Sequence, residues 1–185
     1  MVSKHIFFKF GSLRMEGLKR RLEGEIEIRV AGGDAFHEIF LNRPHHISNV
    51  SPELIQGCDL HEGAFGKQGS KICWRYTLDG YLIVSPPPLL CKLDGKALMG
   101  KEILELIDDE NKVIRFNVIE GDILKEYKYF VLTYQVIPKG EEKSLVKWIF
   151  EYQKLHPGVP EPTSLMDALV RLAKEIDDHH HSQPK

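Results

Sequence analysis

The apolar period of this chain changes for good near residue 163, from mostly two to between three and four. Beyond that point Leu165, Met166, Leu169, Val170, Leu172, Ala173 and Ile176 form one broad apolar face, with Asp167, Arg171, Lys174 and Glu175 off it. That spacing predicts a single long helix, capped by Thr163 or Ser164 after Pro160 and Pro162 and running to about Asp178. Asp177 and Asp178 oppose the helix dipole, so that end is expected to fray. Most of the chain before the helix alternates. In residues 22–30, Leu22, Gly24, Ile26, Ile28 and Val30 share one side and Glu23, Glu25, Glu27 and Arg29 the other, the pattern of a half-buried antiparallel strand. Gly32-Gly33 ends it, Asp34 opens a short helix over 35–41, Pro44 stops that helix, and 47–53 hold another turn or two. Six more strands are predicted at 55–61, 71–78, 101–107, 113–120, 124–137 and 145–153, parted by turn residues. Strands with one apolar face and one amphipathic helix must bury those faces together. The fold class is therefore α+β, a helix-grip: a curved seven-stranded antiparallel sheet wrapped around the C-terminal helix. The space inside such a grip is concave and apolar, a natural ligand site.

The 185 residues suffice for one domain, and 42% hydrophobic with 28% charged residues is an ordinary globular balance. The net charge of −2 gives no basic excess for nucleic acid. No apolar run is long enough for a membrane span. Cys58, Cys73 and Cys91 are odd in number and form no CxxC pair, which fits a reduced, cytoplasmic setting and small buried side chains. Residues 1–17 read as an N-terminal extension, basic at Lys4, Lys9 and Arg14, before a domain over 18–179 and a flexible tail over 180–185 that includes His180 and His181.

The polar constellations are weak. Gly63, Gly66 and Gly69 between two strands suit a tight turn at positive φ better than a phosphate cradle, since no helix follows to add its dipole. His37, His45 and His46 lie close in sequence, but adjacent histidines point apart and no further ligand joins them, so no metal site is expected. Among the strand carboxylates Glu25, Glu27, Asp59, Glu105 and Glu120, alternation puts Glu25 and Glu27 toward solvent. Glu105 falls in phase with Ile103 and Ile107 and is expected to point inward, where it would anchor a polar ligand group. No ordered nucleophile, base and acid emerge, so no catalytic residue and no cofactor are assigned.

Several longer motifs carry a likeness. Residues 36–47 (Phe-His-Glu-Ile-Phe-Leu-Asn-Arg-Pro-His-His-Ile), 55–63 (Ile-Gln-Gly-Cys-Asp-Leu-His-Glu-Gly), Trp74-Arg75-Tyr76-Thr77, Val118-Ile119-Glu120-Gly121-Asp122, Val146-Lys147-Trp148 and Val159-Pro160-Glu161-Pro162-Thr163 resemble stretches of the plant major latex proteins. The resemblance covers about 18–178 and implies the Bet v 1 superfamily, pathogenesis-related class ten. It implies the fold already read, START-like in architecture, with a large internal cavity for hydrophobic ligands: fatty acids, sterols, flavonoids or hormone-like molecules. It also implies a defence- or stress-related role in plants, a non-enzymatic monomer, and, as the alternative, a condensing or ribonuclease-like enzyme using the same cavity. With a cavity so implied, the core-facing residues expected on its wall are Ile26, Ile28, Phe36, Phe116, Phe130, Tyr134, Trp148, Met166, Leu169 and Val170. One departure from the pattern is the segment 81–95, apolar and proline-rich, read here as an inserted loop because three consecutive prolines cannot sit in a central strand.

Overall fold

The computed structural model describes residues 18–29, 33–84 and 89–182, with the side chains of 79–96 excepted. The extension over 1–17, Val30, Gly32, the proline run 86–88 and the last three tail residues therefore lie outside the described residues, as does the Cys91 side chain.

Strand β1 (Lys19–Ile28) is followed by α1 (Asp34–Leu41), a 3-10 turn (Pro44–His46) and the one-turn α2 (Ile47–Val50). Then come β2 (Ile55–Glu62), β3 (Lys71–Val84), β4 (Leu89–Asp108), β5 (Val113–Gly121), β6 (Tyr127–Pro138) and β7 (Ser144–Lys154), and last α3 (Thr163–Ser182). The sheet has seven strands in the order β1-β7-β6-β5-β4-β3-β2, and every pairing is antiparallel. Only β1 leaves the hairpin order, crossing to pair with β7. The helix-grip architecture stands as expected.

Alternation sets the sheet's two faces. On β7 Ser144, Val146, Trp148, Phe150, Tyr152 and Lys154 are buried while their neighbours are half-buried. The outer face is laced by charge. Arg115 reaches Glu105 (3.4 Å) and Glu151 (3.2 Å), while Glu23 takes both Arg21 (2.7 Å) and Lys147 (2.7 Å). Helix α3 lies across the inner face, closest to β1. Gly24 makes this possible: a Cβ there would sit 2.4 Å from the sulfur of Met166, which is fully buried.

The structure corrects two local readings. The C-terminal end of α3 does not fray at Asp177 and Asp178; it stays helical through Ser182. Arg29, just past β1, supplies the compensating charge. Its backbone N–H (2.9 Å) and Nε (3.0 Å) donate to the Asp177 carboxylate and its Nη2 to Asp178 (2.6 Å). Within 81–95 the described stretches 81–84 and 89–95 are strand rather than loop: Gly80 pairs with Leu93 and Val84 with Leu89, prolonging the β3–β4 hairpin past a register shift at Leu78/Gly80. The three prolines themselves, 86–88, lie outside the described residues. Gly63, Gly66 and Gly69 take φ of 87°, 72° and 86°, the left-handed turn anticipated between β2 and β3. Among the described residues no helix is long and apolar enough to cross a membrane.

The seat of α3 is open to a direct test. Gly24→Val should drive its side chain into Met166 and cost roughly 1–3 kcal/mol, as overpacking does. Gly24→Ala should cost less, because a methionine thioether yields. An unchanged thermal midpoint for the valine variant would mean that α3 does not rest on Gly24.

Candidate ligand-binding cavity

Helix α3 does not fill the grip. Met166, Val170, Leu172, Ala173 and Ile176 are buried, but Leu165, Ala168 and Leu169 stay only half-buried although they face the sheet. They border a cavity of about 80 Å³ whose other walls include Phe40, Leu54 and Ile55, Trp74, Tyr76 and Leu78 of β3, Gly100 and Glu102 of β4, Phe116 and Val118 of β5, Ile123, and Phe130, Leu132 and Trp148 of β6 and β7. The cavity is thus displaced from β1 toward the β2–β5 side. It is apolar apart from one carboxyl. Small-molecule pockets run to roughly 300–1,000 Å³, so a sterol-sized guest fits only if the half-buried wall moves apart.

Of the wall residues expected from sequence, the structure brings Phe116, Phe130, Trp148 and Leu169 together around this space. Ile28, Tyr134, Met166 and Val170 are buried in the packed part of the core, and Ile26 packs against it half-buried. Phe36 stacks on Tyr134 (centroids 6.0 Å) and borders a separate cleft of about 300 Å³ between α1, α2 and the end of α3, shared with Arg43, His46, His179 and His180. That cleft is wider but rimmed by charge and imidazole, so it lacks the apolar enclosure of the first cavity. Tyr134 and Trp148 are in ring contact (4.9 Å), and neither the Tyr134 hydroxyl nor Trp148 Nε1 has a hydrogen-bond partner.

Glu102 is the polar feature that sequence reasoning missed. Its carboxylate accepts a 3.1 Å hydrogen bond from Trp74 Nε1. It retains some accessible surface because it faces the cavity, while protein surrounds it on every side. Burial pushes the Glu102 carboxyl up to about 7, against the pull of the Trp74 hydrogen bond. Its charge also helps to raise its neighbours: burial first, then Glu102, holds the Tyr76 hydroxyl and the Cys58 thiol protonated. Cys58 is therefore an inert core thiol.

Glu105, expected to face inward, is exposed on the outer side, where Asn117 donates to it (2.8 Å) and Arg115 pairs with it. The cause is the phase of β4. Gly100, Glu102 and Leu104 point in, and a register shift between Leu104 and Leu106 then turns Leu106 out. Ile103, Leu104, Leu106 and Ile107 are apolar in both phases, so alternation alone could not choose. Gly100, which lies beside Tyr76 across the strand pair, shares the inward phase. His45 and His46 do not point apart: their rings meet edge-on at 4.4 Å, and His45 stacks on Phe65. Among the described residues no group of three or more His, Cys, Asp or Glu is placed to hold a metal ion.

Glu102 links stability to pH. Between its ordinary value of 4.5 and about 7, the folded chain keeps a proton that the unfolded chain has released, so stability should fall as pH rises through that window. Glu102→Gln removes the charge and keeps the shape. Relative to wild type the variant should gain roughly 2–3 kcal/mol between pH 4 and pH 8. Thermal midpoints of both proteins across that range check this, and curves that run parallel would exclude it.

The profile of the pathogenesis-related protein Bet v 1 family matches residues 17–85 and 90–183. MLP-like protein 31 of Arabidopsis thaliana is 44% identical over 160 residues, 86% of this chain and 84% of that protein. The crystal structure of ginseng major latex-like protein 151 from Panax ginseng superposes with a TM-score of 0.77 at 41% identity, covering 89% of this chain and 99% of that one. Norcoclaurine synthase from Thalictrum flavum shares the fold at 18% identity, with a TM-score of 0.65 over 99% of this chain and 100% of that one. The sheet, the seated helix and these likenesses agree: the chain belongs to the Bet v 1 pathogenesis-related family, among its plant major latex protein-like members.

Proposed function

We propose that the protein binds an apolar small molecule between α3 and the β2–β5 half of the sheet. Family membership supports a ligand-binding, defence-type role in general terms. The observation that carries the finer reading is the half-burial of Leu165, Ala168 and Leu169 on a helix face that a filled core would have sealed. The ligand classes that the likeness suggests, fatty acids, sterols, flavonoids and hormone-like molecules, share the apolar body this wall requires. The wall also supports Phe116, Phe130, Trp148 and Leu169 as contact residues, with the remaining expected residues acting behind it.

One observation favours an enzyme instead: a carboxyl that titrates near neutrality in an apolar pocket is what a general base needs. The described wall offers it no serine, cysteine, lysine or histidine to act on or with. Binding without chemistry therefore remains the better account, and the setting proposed for it is the cytoplasm of a plant cell.

Binding should be reversible, with Kd on the order of micromolar, equivalent to about 8 kcal/mol, and visible as a change in Trp148 fluorescence. Leu169→Trp should place its indole in the cavity, abolishing binding while the thermal midpoint is kept. If the wild type takes up no apolar probe and the tryptophan variant is simply destabilised by about 1–3 kcal/mol, the interior is a filled core.

A further inference from the structure

The cavity wall holds one carboxyl among mostly apolar side chains, and that group is poorly compensated. Trp74 Nε1 gives Glu102 its hydrogen bond, and no lysine, arginine or histidine pairs with it among the described residues. The nearest cation in sequence, Lys101, points to the outer face and pairs there with Glu120 at 2.6 Å. From α3 the cavity meets only Leu165, Ala168, Leu169 and Leu172, and the titratable neighbours on the sheet, Tyr76 and Cys58, are held neutral. A buried carboxyl with spare acceptor capacity and no cation is an incomplete pair. The cost of removing it from water is already incurred on folding, so a ligand that brings a donor gains the interaction without that cost. A ligand that brings a second carboxylate meets repulsion in a region of low dielectric.

We propose that Glu102, positioned by Trp74, is the polar anchor of the cavity and makes it select apolar ligands that carry a hydrogen-bond donor, above all a protonated amine, over apolar carboxylates. The proposal rests on the cavity reading and narrows it, placing free fatty acids last among the ligand classes. The apolar body would lie along Leu165, Leu169 and Phe116 with its donor at the Glu102 end.

Three probes of one scaffold separate anchor from cavity: 1-naphthylmethylamine, 1-naphthylmethanol and 1-naphthoate, titrated calorimetrically into the full chain and into Glu102→Gln. At pH 8 the wild type should bind the amine at least about tenfold more tightly than the naphthoate. In Glu102→Gln the two should come within about threefold, with naphthylmethanol still bound through the apolar wall. The wild type alone supplies a second test that does not depend on the variant folding. Between pH 8 and pH 5.5 both charged probes keep their charge while Glu102 takes up a proton, so the preference for the amine should shrink. Equal binding of amine and naphthoate by the wild type, a preference that survives Glu102→Gln, or one that is flat with pH would each overturn the anchor. In those cases binding of naphthylmethanol would leave the cavity reading standing. Failure of all three probes to bind would remove both.

Discussion

The close seat of α3 on β1 decides most of this structure. Gly24 offers no side chain, Met166 drops into the space left, and Arg29 holds the acidic end of the helix through Asp177 and Asp178. The other end is fixed as firmly. The Tyr127 hydroxyl donates to the Pro160 carbonyl (2.8 Å), and Glu161 receives both the Tyr152 hydroxyl and the nearly buried Lys154 ammonium (2.5 Å). A helix so tied packs most closely on β1 and also meets β3, but it stays clear of β4 and β5 in the middle of the sheet. The cavity is the volume left over, and its position follows from the tether rather than from any residue that lines it.

The interior that results is uneven in polarity. Beside β1 it is dense and apolar. Toward the cavity it contains Glu102 and the unpartnered Trp148 Nε1. A buried polar group left without a partner costs about 1–3 kcal/mol, and such local costs gather at functional sites. The outer face shows the opposite arrangement, with Glu23, Arg21, Lys147, Glu151, Arg115 and Glu105 bridged across strands. Exposed pairs of this kind add little stability singly, but they fix which face of each strand meets water. In doing so they hold Glu102 on the other face.

The sheet and α3 were legible because they rest on periodicity, which is local. Every strand predicted from alternation exists, although β6 starts only at Tyr127 because a 3-10 turn occupies Asp122–Lys125, and α3 begins where the period changes. What escaped was set by contacts distant in sequence. The fraying assigned to Asp177 is prevented by Arg29, 148 residues away. The phase of β4 depends on its pairing with β3 and β5 and on a bulge, neither visible in a run apolar in both registers. The cavity wall was read from face alone, which finds core residues such as Tyr134 and Val170 as readily as lining ones such as Phe116 and Leu169. To tell them apart requires knowing toward which edge of the sheet the helix leans. Trp74, Tyr76 and Glu102 were passed over for that reason.

The central claim is that an apolar guest enters between α3 and the β2–β5 half of the sheet. The most direct measurement is the set of intermolecular nuclear Overhauser contacts from bound 1-naphthylmethanol to methyl-labelled protein. The account predicts contacts to the methyl groups of Leu165, Leu169 and Ile55, all on the cavity wall. Contacts confined to Ile39, Val50 and Ile176 would place the guest in the separate cleft beside α1 and α2 and contradict it.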